Sequence, residues 1–149
     1  MSWQATIVME PSLLEVRRTT QALMGAIEDI GTETSRCELE LAFVEACTNS
    51  AKHGSKGGGR RDIRVTLQIE DAFVEIAIED GGEEFDPFEE ERKIDLEDLA
   101  SLPCGGYGLG LIRKICDSVD YTHNAFGNKL ILRKRLTPAS TERMAVRSA

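Results

Sequence analysis

Aromatic residues are scarce in this chain, with one Trp, two Tyr and five Phe among 149 residues, and there are only four prolines. A core without many rings must be built from aliphatic side chains. At 41% hydrophobic residues there are enough of them for one domain of about 100–150 residues. No apolar run approaches the ~18 residues of a membrane span. The start, Met1-Ser2-Trp3-Gln4, has no basic stretch leading into an apolar one, so no secretory leader is expected and the cytoplasm is the expected location. Cations are outnumbered, 18 Lys and Arg against 26 Asp and Glu, for a net charge of -8. Binding to a phosphate backbone or an anionic bilayer runs on Lys and Arg, so neither nucleic acid nor membrane is an expected partner. The four cysteines, Cys37, Cys47, Cys104 and Cys116, form no Cys-x-x-Cys pair, and His53 and His123 are the only histidines. Zinc needs about four clustered ligands, so reduced and mostly buried thiols are expected instead.

Apolar periodicity divides the chain. Residues 3–9 alternate as a strand. A helix follows, with Pro11 at its first position, Leu13, Val16, Leu23, Ile27 and Ile30 on one face, and Gly31 as its stop. A second helix opens near Thr34-Ser35, where Ser35 and Glu38 have capping-box spacing, and runs to about His53 before Gly54 ends it. After the glycine-rich connection 54–59, two alternating runs joined by a tight acidic turn read as an antiparallel hairpin: Ile63, Val65, Leu67 and Ile69, then Val74, Ile76 and Ile78. Residues 81–105 break the pattern, apart from a helical hint at 94–99. A connection of that length reads as a lid or binding loop. A third helix is expected over about 107–117, with Leu109, Ile112 and Cys116 on one side, then a closing hairpin turning around Gly127-Asn128. The expected fold is α+β: a two-layer sandwich in which three helices cover one face of a mixed, mainly antiparallel sheet. Residues 1–136 would form one domain and 137–149 a frayed tail.

Two glycine patterns fail as phosphate loops of parallel-sheet folds. Gly54 and Gly59 have Walker spacing, but Arg60-Arg61 stands where Lys-Ser or Lys-Thr is needed, and a helix precedes the loop where a strand should. The run Gly106-Tyr107-Gly108-Leu109-Gly110 lacks both dinucleotide spacing and a preceding strand.

Three other constellations carry chemistry. Glu45, Asn49 and His53 stand four apart and make one polar stripe on the second helix. An Asn carbonyl suffices as the protein ligand of a Mg²⁺ ion otherwise held by phosphate and water, and a carboxylate one turn away can accept a hydroxyl proton. A solvated helix face would carry the same residues. Asp80 shares the parity of Val74, Ile76 and Ile78, so its carboxylate faces inward at a strand end, where it needs a donor such as an exocyclic amine. The adjoining Gly81 and Gly82 let a flat ring approach the backbone. Capping a turn is the competing reading of Asp80. The segment 105–111, Gly-Gly-Tyr-Gly-Leu-Gly-Leu, opens the third helix, where free N–H groups and the helix dipole favour phosphate; a flexible helix entry is the alternative.

In this order and spacing the motifs resemble those of the GHKL superfamily of ATPases, which includes gyrase and the histidine kinases. Glu45-x-x-x-Asn49 is similar to the N box, Asp80-x-Gly82 to the first glycine box, and Gly106-x-Gly108-Leu109-Gly110-Leu111 to the second. Only about 37 residues precede the N box helix, too few for the dimerising hairpin of a sensor kinase. The chain resembles instead the bacterial anti-sigma-factor serine kinases, also through Asp86-Pro87 after Phe85. That resemblance implies a Bergerat-type fold, ATP and Mg²⁺. It makes Glu45 the general base, Asn49 the Mg²⁺ ligand and Asp80 the adenine acceptor beside Gly82. Gly106, Gly108, Leu109 and Gly110 would lie along the phosphates, with His53 bridging toward them or capping its helix. Residues 83–104, with Arg92 and Lys93 as their cations, would be the ATP lid. The implied partners are a sigma factor, a STAS-type anti-anti-sigma protein that is phosphorylated on serine, and a second copy in a homodimer. The alternative is a nucleotide-gated partner switch without phosphoryl transfer, and the presence of Glu45 favours the kinase. Glu84 and Asn128 depart from the pattern, since some relatives carry Gly at the first position and Thr at the second.

Overall fold

The computed structural model describes residues 2–53, 62–84 and 108–138. The expectations for the connection 54–59, for Arg92, Lys93 and the lid beyond residue 84, for Cys104 and Gly106, and for the tail beyond residue 138 lie outside the described residues. The elements run β1 (Ser2–Met9), α1 (Leu13–Ala26), α2 (Glu33–His53), β2 (Ile63–Glu70), β3 (Phe73–Asp80), α3 (Gly108–Ile115), β4 (Ser118–Asn124) and β5 (Gly127–Arg135). The strands lie in the order β1-β2-β3-β5-β4. The sheet is the α+β layer expected from the sequence, and every pairing among the described residues is antiparallel.

Alternation decides which face of the sheet meets the helices. Ile63, Val65, Leu67 and Ile69 of β2, Val74, Ile76 and Ile78 of β3, and Leu130 and Leu132 of β5 are buried against Leu39, Phe43 and Cys47 of α2 and Ile112 of α3. Intervening residues form the other face, where Arg133 pairs with Glu75 (2.9 Å) and with Asp120 across three strands. Asp71 takes φ +54 in the tight β2–β3 turn, a left-handed conformation that Asp tolerates.

Local details differ from the sequence reading at the helix ends. Ser12 caps α1, its Oγ accepting the Glu15 N–H at 3.2 Å, so Pro11 precedes the cap. The helix ends at Ala26, and Ile27 and Ile30 belong to the following turn, with Ile27 fully buried there. Leu13 is 66% exposed, and Thr19 and Thr20 join Val16 and Leu23 on the buried face. Their hydroxyls are satisfied by Met9 Sδ and the Val16 carbonyl. Thr32, not Ser35, caps α2: its Oγ1 accepts the Ser35 N–H at 3.2 Å, while Ser35 Oγ donates to the Thr32 carbonyl at 3.0 Å. Thr32→Ala is expected to lower stability by about 1–2 kcal/mol, read as a shift of the urea midpoint at unchanged m. Thr137, assigned to the tail on composition, accepts the Thr32 N–H on its carbonyl at 2.8 Å. The last hairpin turns at Ala125-Phe126, so Gly127 opens β5 and Asn128 lies within it.

Candidate functional site

Two polar contacts fix how the helices lie on the sheet. Lys134 alternates with Leu132 and Leu130, so it falls on the buried face of β5 and is 8% exposed. Its Nζ donates to the Ile115 carbonyl at 2.9 Å and meets Glu38 Oε2 at 3.3 Å. A cation at the C-terminal carbonyls of α3 complements the helix dipole, and the same ammonium ties α3 to the early part of α2. Farther along α2, Cys47 Sγ reaches Met9 Sδ at 3.7 Å. Met9 pairs with Ile63, and continuing the Arg64–Glu79 ladder by one step places Ile63 opposite Asp80. Asp80 pairs with Asn128, and Asn128 with His123. One row across the sheet therefore holds Met9, Ile63, Asp80, Asn128 and His123. It lies six strand residues, roughly 20 Å, from the Lys134 end.

From these anchors α2 runs from the Lys134 end, at Glu38, toward the Asp80 end, at Cys47. Its second half carries Glu45, Asn49 and His53, all half-buried. The opposite side of the helix, with Leu39, Ala42, Phe43, Ala46 and Cys47, packs into the core. Among the described residues, no hydrogen bond involves the side chains of Glu45 or Asn49. The third helix packs along α2 and has its C-terminus held at Lys134, so its N-terminus, Gly108 with Gly110 in the first turn, faces back toward the Asp80 end. The first turn of a helix leaves about four N–H groups without an intrahelical partner there.

Asp80 is 6% exposed, as its parity with Ile76 and Ile78 implied. A buried carboxylate is costly without donors. Oδ1 accepts two hydrogen bonds, from the Gly82 N–H at 3.0 Å and from Asn128 Nδ2 at 2.9 Å. The turn-capping reading thus describes one oxygen. The other, Oδ2, accepts no hydrogen bond among the described residues. Asn128 Nδ2 also donates to the Glu83 carbonyl at 2.8 Å, at the root of the expected lid. Tyr121 OH donates to Asn128 Oδ1, and His123 Nδ1 lies 3.0 Å from the same oxygen.

The sequence reading treated Asn128 as a turn residue departing from a family pattern and assigned nothing to Lys134. Their signal was parity. Both share the inward alternation of Leu130 and Leu132, and a polar side chain on an apolar face needs a partner. The thiols have no part in this arrangement. Burial pushes Cys47 up to about 12 and Cys116 up to about 11, which keeps both protonated and unreactive at neutral pH, while Cys37 is exposed.

Comparison with known proteins gives the family. Residues 9–134 match the histidine kinase-like ATPase domain, and the chain belongs to that family. It is 32% identical to the serine-protein kinase RsbW of Listeria innocua over 114 residues, covering 72% of this chain and 71% of that one. It is 29% identical to the RsbW of Oceanobacillus iheyensis over 135 residues, covering 84% and 80%. Among solved structures, a Mycobacterium tuberculosis protein with RsbU and RsbW domains superposes with a TM-score of 0.64 at 18% identity. The match takes in 90% of this chain and 32% of that one. The mycobacterial sensor histidine kinase MprB gives a TM-score of 0.50 at 22% identity over 91% of this chain and 99% of that one. These two likenesses concern the fold alone. No helix among the described residues is long and apolar enough to cross a membrane.

Proposed function

We propose that the protein is an ATP-dependent protein-serine kinase that also holds a sigma factor, with a STAS-type anti-anti-sigma protein as its phosphoacceptor. The observation that carries this reading is the state of Asp80. It is a buried carboxylate whose Oδ1 accepts from Gly82 and Asn128, while Oδ2 accepts no hydrogen bond among the described residues and can take a ligand's donor. Adenine supplies that donor as its exocyclic amine. Gly82 lies beside the ring. Gly106, Gly108, Leu109 and Gly110 line the phosphates at the start of α3, and His53 closes the α2 end toward them.

The donor set suits Mg²⁺. Asn49 offers a carbonyl oxygen with no described competing bond, and a triphosphate with water supplies the remaining hard ligands. When bound, the ion neutralises charge on the β- and γ-phosphates. Serine Oγ forms a bond to the γ-phosphorus, the bond to the β–γ bridging oxygen breaks, ADP leaves, and Glu45 takes the serine proton. Relatives named serine-protein kinase support this assignment. A cytoplasmic location and a homodimer belong to the same reading, as do one domain over 1–136 and a lid over 83–104.

Mg²⁺-ATP at 100 times its Kd is expected to add about 2.7 kcal/mol to native stability, visible as a raised Tm. Asp80→Asn keeps an acceptor for the turn but turns an amide toward the amine, and should abolish that rise. A parent protein whose Tm ignores Mg²⁺-ATP would refute nucleotide binding. Transfer is tested with labelled ATP and a co-encoded STAS-type protein, followed by phosphoserine mapping.

A further inference from the structure

Asn128 has two donors and two acceptor lone pairs, and the structure uses all four. Nδ2 faces two groups that can only accept, the Asp80 carboxylate at 2.9 Å and the Glu83 carbonyl at 2.8 Å. This fixes which end of the amide is nitrogen. Oδ1 must then be the acceptor for both β4 side chains, Tyr121 OH and His123 Nδ1, so His123 carries its proton on Nδ1. A saturated amide has nothing left for a ligand. What it can do is set the rotation of the Asp80 carboxylate.

We infer that Tyr121 and His123 are positioning residues for purine recognition: by locking the Asn128 amide they aim Asp80 Oδ2 at the exocyclic amine and hold the Glu83 carbonyl in the same grip. The inference rests on the adenine reading of Asp80 and extends it to two β4 residues that never touch the nucleotide. Each donor lost leaves the amide less firmly held, and with both gone only the two Nδ2 bonds remain, so the amide can twist, the bond to Asp80 Oδ1 weakens, and the carboxylate turns to share both oxygens with the Gly82 N–H. The cost falls on the hydrogen bond to the amine and spares contacts to ribose and phosphates.

That difference gives a readout that general damage to the fold does not mimic. Calorimetric titration with Mg²⁺-ATP is compared with titration by Mg²⁺-purine riboside triphosphate, which lacks the 6-amino group. The parent should prefer ATP by about 10–100-fold, the value of a hydrogen bond to a charged acceptor. Tyr121→Phe combined with His123→Ala should weaken ATP binding about 10-fold while changing analogue binding less than about 2-fold. In the Tyr121→Phe background, His123→Asn returns an N–H close to the Nδ1 position and should bring the preference back to the Tyr121→Phe level where His123→Ala does not. Tyr121→Phe alone removes a single oxygen, so it reports even if the double variant unfolds, and it should lower the ATP preference by itself. Equal weakening of both nucleotides, or preference retained at the parent value, would overturn the inference while leaving the adenine assignment standing. A parent that binds both nucleotides equally would overturn the two together.

Discussion

Gly127→Ala should remove nucleotide binding and several kcal/mol of stability at once. Gly127 has φ +121, in a region side chains rarely adopt, and a Cβ there would stand 2.0 Å from the Asp80 carbonyl oxygen and 2.8 Å from Gly81 Cα. Both obstacles are backbone atoms of the central strand and its exit, so no side chain can swing aside. Relief requires β5 to move off β3 at the step where Asp80 pairs with Asn128. Backbone strain of ~1–3 kcal/mol adds to a packing conflict of similar size, roughly 2–6 kcal/mol together. The same displacement separates Asn128 Nδ2 from Asp80 Oδ1, so any Mg²⁺-ATP thermal shift should vanish even at temperatures where the variant is folded. Urea denaturation and nucleotide-dependent melting measure the two effects separately. Gly25→Ala is the control. It is exposed in α1 with nothing within 4 Å of its added Cβ, and should stabilise by about 0.5–1 kcal/mol. A Gly127→Ala protein with the parent's urea midpoint would show that β5 yields at this point at no cost.

Why such a contact escapes a sequence reading is clear from the elements it joins. Strict alternation made β2 and β3 legible, because a period of two with one apolar face has few other solutions. The same parity placed the Asp80 carboxylate inward, where it is buried. Spacing alone was weaker at the helix ends. Thr32 and Ser35 both have cap chemistry three residues before an acceptable partner, and only the bond from the Ser35 N–H to Thr32 Oγ1 separates them. Leu13 matched the α1 apolar stripe but is the first helical residue and stays exposed. The last hairpin was shifted because Gly-Asn is a favoured turn pair, and here pairing of Asn128 with Asp80 of β3 and of Gly127 with Asn124 of β4 takes both residues into the strand. Lys134 and Asn128 are long-range answers: their partners Glu38, Ile115, Asp80 and Glu83 are far away in sequence, and local pattern cannot supply them.

Glu45→Gln should separate binding from transfer. The substitution keeps the size of a half-buried side chain on α2 and leaves Asp80, Asn49 and the α3 N-terminus in place, so the ATP dissociation constant should stay within about 3-fold and the Mg²⁺-ATP thermal shift should persist. Transfer to serine should fall by about 10²–10⁴, the range of a general base. The lower end is the better expectation for phosphoryl transfer, because a loose transition state forms little bond to the nucleophile before the proton must leave. Glu45→Asp should lie between, since it retains the carboxylate but withdraws it by one methylene. Single-turnover transfer to the serine partner, with nucleotide binding titrated in parallel, distinguishes the outcomes. A drop in binding that matches the drop in rate would make Glu45 a structural residue of the site. A Glu45→Gln protein that phosphorylates at the parent rate would remove the base from the mechanism and leave nucleotide-gated holding of the partner as the function of the polar stripe.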